Sequence, residues 1–160
     1  MDKGTHGRKD RLVKQKRHDV YRAREKWPEP TQCEHCGAVF VKGRWSWTMP
    51  QGTVYKAVCP ACRRITDGYP AGILEIKGAF FNGHRDEMVR MLRRVEEREK
   101  DAHPLERIMA VTEQENRTLV TTTGVHLARR LGEALARAYK GDLSFQYGDG
   151  EQSIRLQWQR

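Results

Sequence analysis

The chain has 160 residues, with 30 Lys+Arg against 21 Asp+Glu and a formal net charge of +9. That length fits one domain of ordinary size or two small ones. With 32% charged and 38% apolar residues, and no apolar run of about 18 residues, the composition argues against a membrane protein and for a modest buried core. Four cysteines and a polar, basic first segment without an apolar signal stretch argue against a secreted disulfide scaffold. The expected address is cytoplasmic, where thiols stay reduced and cysteine pairs more often hold metal.

The charge is unevenly placed. Residues 1–30 hold ten basic and five acidic side chains, and residues 31–62 hold three and one. The first 62 residues therefore carry +7 of the net +9, and the remainder is almost balanced. In residues 1–30 the sparse apolar side chains Leu12, Val13, Val20 and Tyr21 sustain no helical stripe. This segment is expected to be a basic, largely disordered tail, and Trp27-Pro28-Glu29-Pro30 ends it as an extended linker. Such a tail can order on a phosphate backbone and release counterions. Arg8, Lys9, Arg11, Lys14, Lys16 and Arg17 are its candidate nucleic-acid contacts.

Residues 31–66 carry the sharpest pattern. Cys33-Glu34-His35-Cys36 and Cys59-Pro60-Ala61-Cys62 are two C-x2-C pairs. Strand-like runs at Ala38–Lys42 and Thr53–Val58 lie between them, with Met49-Pro50-Gln51-Gly52 as the turn of a hairpin. That is the layout of a tetracysteine zinc ribbon, with Cys33, Cys36, Cys59 and Cys62 closing a tetrahedral shell around one structural Zn(II). Gly37 suits the tight knuckle turn. His35 is expected to stay outside the shell, because four sulfurs fill it. A redox C-x-x-C or an iron–sulfur cluster are the other chemistries open to such cysteines. The finger is also aromatic, with Phe40, Trp45, Trp47 and Tyr55. Packing of all four as a small core is one reading. In the other, Trp45 or Trp47 stacks on bases beside Lys42, Arg44, Arg63 and Arg64, the finger's candidate nucleic-acid contacts.

Residues 67–160 read as an α+β domain. Ile73–Phe81 is strand-like. A helix is predicted over 84–103, with Met88, Met91, Leu92 and Val95 as its stripe and Pro104 as its stop. Arg107–Glu113 and Arg117–Thr122 read as strands. Thr123 is placed to cap a helix over 124–140, with Gly141 ending it. The alternations Leu143, Phe145, Tyr147 and Ile154, Leu156, Trp158 read as two further strands around Gly148-Asp149-Gly150. From residue 84 the order is α-β-β-α-β-β, expected as an antiparallel sheet with both helices on one face.

Two stretches together resemble a known family. One is Cys33-x-x-Cys36-Gly37-Ala38-Val39-Phe40, Gly43-Arg44-Trp45, Cys59-Pro60-x-Cys62-Arg63-Arg64 and Pro70-Ala71-Gly72. The other is Thr121-Thr122-Thr123-Gly124-Val125-His126-Leu127-Ala128-Arg129-Arg130-Leu131-Gly132 with Ala138-Tyr139-Lys140-Gly141. They look like a small bacterial zinc-ribbon family of uncharacterised role, itself similar to the N-terminal part of the large-ribosomal-subunit export adaptors (the nonsense-mediated-decay protein three family). The resemblance implies a metal role for the four cysteines and an RNA- or ribosome-associated function. One cysteine quartet stands where the export adaptors carry more pairs, so nuclear export is not carried over.

No P-loop, nucleophile elbow or H-E-x-x-H motif occurs. The six histidines are scattered, with His84 read as a helix-start residue and His126 as a packing residue. The expectation is a non-enzymatic zinc-ribbon RNA-binding protein, ribosome-associated in large-subunit biogenesis or translation. Its partners would be ribosomal RNA and ribosomal proteins, with no membrane and no small-molecule substrate. The alternatives are a protein-interaction adaptor with a structural ribbon, a DNA-binding, transcription-associated ribbon protein, and a thiol redox sensor.

Overall fold

The computed structural model describes Tyr21 and residues 26–160. The described residues form a mixed α+β structure with two sheets and three helices. No helix among the described residues is long and apolar enough to cross a membrane.

The first sheet belongs to the cysteine finger. Its strands are β1 (Thr31–Cys33), β2 (Val39–Val41), β3 (Arg44–Ser46) and β4 (Tyr55–Ala57), in the order β3-β2-β1-β4. The hairpin is not the one expected. β2 pairs with β3 through a two-residue turn at Lys42-Gly43, whose φ angles are 52° and 78°. Positive φ at both turn residues matches the right-handed twist of the flanking strands. The turn expected at 49–52 makes no such hairpin, because β4 returns parallel to β1, with Thr31 opposite Tyr55 and Cys33 opposite Ala57. The second cysteine pair then opens a helix, α1 (Pro60–Asp67), with Cys59 as its N-cap. The finger is thus knuckle, hairpin and helix, and its last element is not the strand-borne knuckle of a ribbon.

The second sheet has five strands. They are β5 (Gly72–Lys77), β6 (Ile108–Gln114), β7 (Arg117–Thr122), β8 (Asp142–Tyr147) and β9 (Ile154–Gln159), ordered β6-β7-β5-β9-β8. Two helices, α2 (Ala79–Ala102) and α3 (Val125–Tyr139), pack on one face. Alternation puts Leu74, Ile76, Leu156 and Trp158 into the core, against Met88 and Leu92 of α2 and Leu127, Leu131 and Leu135 of α3. The expected all-antiparallel sheet is corrected at its centre, where β5 and β9 run parallel. The cause is α3, a crossover that returns the chain in the direction of β7 and so makes β9 follow β5.

Three boundaries also move. The strand expected over 73–81 ends at Lys77, since the amides of Phe80 and Phe81 turn to the Arg160 carbonyl and start α2. His84 does not open that helix but lies inside it as a kink, at φ −127°, with Nδ1 2.9 Å from the Phe80 carbonyl and its ring stacked on Phe80. Thr123 does not cap α3. Its hydroxyl donates to the Leu105 carbonyl and accepts from the Arg107 amide, so it bridges β7 to the segment before β6.

Leu131 is fully buried between α3 and the sheet. Leu131→Ala is expected to lower folding stability by about 2–5 kcal/mol. Urea denaturation checks this as a lower midpoint at unchanged slope.

Candidate metal centre

The four thiols come together because each pair is held by backbone geometry. In the first pair the Gly37 amide donates to the Cys33 carbonyl at 3.0 Å and the Cys33 amide to the Ala38 carbonyl at 2.8 Å, which closes the knuckle. In the second, Cys59 caps α1, and its Sγ accepts from the Cys62 amide at 3.4 Å. The parallel β1–β4 pairing joins the two, and the Cys59 amide donates to Cys33 Sγ at 3.3 Å.

All four Sγ atoms lie within 4.8 Å of one another, and those of Cys36 and Cys59 are 3.8 Å apart. A tetrahedron of sulfurs at the Zn–S bond length has edges of about 3.8 Å. Cys33, Cys59 and Cys62 are buried and Cys36 is half-buried. The residues therefore fit one metal ion, and their sulfur chemistry suits a soft or borderline cation. His35, exposed inside the knuckle, is not part of the cluster.

Burial disfavours the Cys33 thiolate, but amide donors from Cys59, Cys36 and His35 outweigh that and bring its pKa down to about 6. Burial pushes the Cys59 and Cys62 thiols up, with neighbouring sulfurs adding to the effect. Near neutral pH a metal thus finds Cys33 already ionised and must displace protons from Cys59 and Cys62. Affinity accordingly falls as pH is lowered.

One functional residue escaped the sequence reading. Arg107, expected only as the first residue of a strand, is buried against the cysteines and precedes β6. Its Nη1 donates to Cys62 Sγ at 3.3 Å, and its Nη2 to Cys36 Sγ at 3.1 Å and Cys59 Sγ at 3.4 Å. Its Nε donates to the Pro104 carbonyl at 2.9 Å. Burial works against the guanidinium charge, and the three sulfurs more than offset it, so the group stays protonated. Four thiolates around a divalent ion leave two formal negative charges in excess, and Arg107 screens one of them. A signal for it lay only in its place, a lone arginine at the head of an apolar strand.

The nucleic-acid candidates separate into three groups. Lys42, Arg44 and Arg63 are exposed on the finger. Arg64 is buried, donates to the Tyr69 carbonyl at 3.2 Å and lies 4.3 Å over the Tyr21 ring, so it serves α1 and not an open phosphate surface. Trp45 and Trp47 are half-buried against the cysteine cluster. Trp45 is flanked by Trp27 and Phe40, and the Trp47 indole donates to the Lys100 carbonyl at the end of α2 at 2.8 Å. The aromatic ring the finger leaves most open is Tyr55, 59% exposed. Arg8, Lys9, Arg11, Lys14, Lys16 and Arg17 lie outside the described residues.

Arg107→Ala is expected to speed release of the metal to a chromogenic chelator about 10-fold or more, the range for loss of a partner to metal ligands. Arg107→Lys, which keeps the charge but not the fork, is expected to fall between the two. Equal release rates for all three proteins would show that the guanidinium does not tune the site. No family model matches the chain, and no curated protein is significantly similar to it.

Proposed function

We propose that this chain is a non-enzymatic RNA-binding protein built around a structural zinc finger, with ribosomal RNA as its first target to test. Zinc is favoured over other metals by four sulfurs at tetrahedral spacing. A closed shell of four thiolates leaves no position for a reactive water, which supports a structural ion.

The observation that carries the RNA reading is where the exposed cations sit. Lys42, Arg44, Lys56 and Arg63 are exposed on a finger whose Tyr55 ring is also open to solvent. The first 62 residues carry +7, of which residues 31–62 hold +2. Cations that track phosphates and an open ring that can stack are the two parts of single-strand binding, here with Tyr55 and Lys56 on β4 at one edge of the finger sheet and Arg44 on β3 at the other. The ribosomal direction rests on the resemblance read in the sequence. Trp47 is held instead by the body, its indole N–H on the Lys100 carbonyl and the Lys100 ammonium over its ring.

A second reading, a protein-docking adaptor, draws on the sheet surface opposite the helices. There Glu75 is ion-paired with Arg117 at 2.8 Å and with Lys77 at 3.6 Å, so part of the charge is neutralised within the sheet.

RNA binding is expected to weaken steeply with salt. Replacing Lys42, Arg44 and Arg63 together by Ala is expected to flatten the slope of log K against log salt by about 2 for single strands. Filter binding at several salt concentrations checks it. An intact, zinc-loaded chain that holds no RNA at low salt but still co-purifies with proteins would favour the adaptor reading.

A further inference from the structure

The finger and the α+β body do not close fully on each other. Between β3 on one side and the α2 end and α3 start on the other lies a cleft of about 610 Å³. That falls within the range of small-ligand sites and holds a nucleotide with room to spare. Two contacts fix the separation of its walls, Arg107 on the sulfurs and the Trp47 indole on the Lys100 carbonyl.

The lining is mixed in a particular way. Trp45 supplies a half-buried indole from the finger, with Arg44 beside it. Across the cleft stand the carboxylates of Glu99 and Glu106. One oxygen of each is engaged, Glu99 Oε1 by Arg130 Nε at 3.1 Å and Glu106 Oε2 by the Leu127 amide at 3.1 Å. The other oxygen of each is an acceptor for a ligand N–H. His126 and Arg130 border the same space.

We infer that this cleft is a binding site for one unpaired purine nucleotide. The inference rests on the RNA-binding reading and names what part of the strand this site takes. Beside its contacts with Trp27 and Phe40, Trp45 gives the cleft an aromatic wall, and stacking on such a wall favours the larger purine ring. The carboxylate acceptors match the exocyclic amino group of adenine or guanine, and that of cytosine too, so ring size is what selects a purine over cytosine. They are poorly matched to uracil, whose polar edge presents two carbonyl oxygens around a single N–H. Arg44, exposed at the rim, supplies a cation for the phosphate.

The test uses the full-length, zinc-loaded chain and ribohexamers titrated by calorimetry: all-uridine, and all-uridine with a single central A, G or C. AMP and GMP are titrated in parallel. The purine-containing hexamers are expected to bind about tenfold or more tighter than all-uridine. Trp45→Phe and His126→Ala, checked for zinc content, are expected to reduce that increment to threefold or less. AMP or GMP binding as tightly as the purine hexamers would support the purine site and assign it to a free nucleotide, not a strand. Equal binding of all hexamers, or an increment unchanged in both variants, would overturn the inference and leave the RNA reading standing. No binding by any hexamer or nucleotide would overturn both.

Discussion

The guanidinium of Arg107 is the contact on which the rest of the structure depends. Sulfur ligands gathered in a small buried space accumulate negative charge, and the finger has little interior of its own to offset it. The offset comes from the α+β body, through an arginine that follows the last cysteine by 45 residues and reaches three of the four sulfurs. Without the finger that arginine would lose its sulfur acceptors, and without the body the sulfurs would keep only their backbone amide donors. Each half thus supplies part of what the other needs, although each has its own sheet and its own apolar cluster.

The short segment around Arg107 carries more than the sulfur contact. The Leu105 carbonyl accepts from the Thr123 hydroxyl, and the Glu106 carboxylate caps the start of α3 through the Leu127 amide. A side chain at position 124 would collide with the Glu106 carboxylate, so the residue there has to be glycine for the carboxylate to reach the helix. Burial pushes the Glu106 carboxyl up while the Leu127 amide pulls it down, as expected of an acid held under cover. Three consecutive residues thus join the cysteine cluster, the end of β7 and the first turn of α3. This explains why the cleft beside them has defined walls.

What was legible in the sequence follows from how local each feature is. The metal quartet could be read because its ligands come in pairs three residues apart, a spacing that survives any arrangement of what lies between. The core of the body could be read because Leu127, Leu131 and Leu135, or Ile154, Leu156 and Trp158, repeat with the period of their element. The finger hairpin was misplaced because Met49-Pro50-Gln51-Gly52 has stronger turn composition than Lys42-Gly43, while the parallel return of β4 is a long-range pairing that composition does not encode. Thr123 met every local rule for a cap, yet Glu106, distant in sequence, took the role. Arg107 was invisible for the same reason: its partners are 45 to 71 residues away.

The anchoring of Tyr21 on α1 has a consequence for the assembly of the finger. The Tyr21 hydroxyl donates to Asp67 at 2.8 Å, and its ring stacks on Tyr69 beneath the Arg64 guanidinium. That contact joins residues 46 apart in sequence, and all four cysteines lie within the loop it closes. A loop already closed costs less entropy to order, so bringing the two cysteine pairs together is less costly than it would be in a chain with free ends.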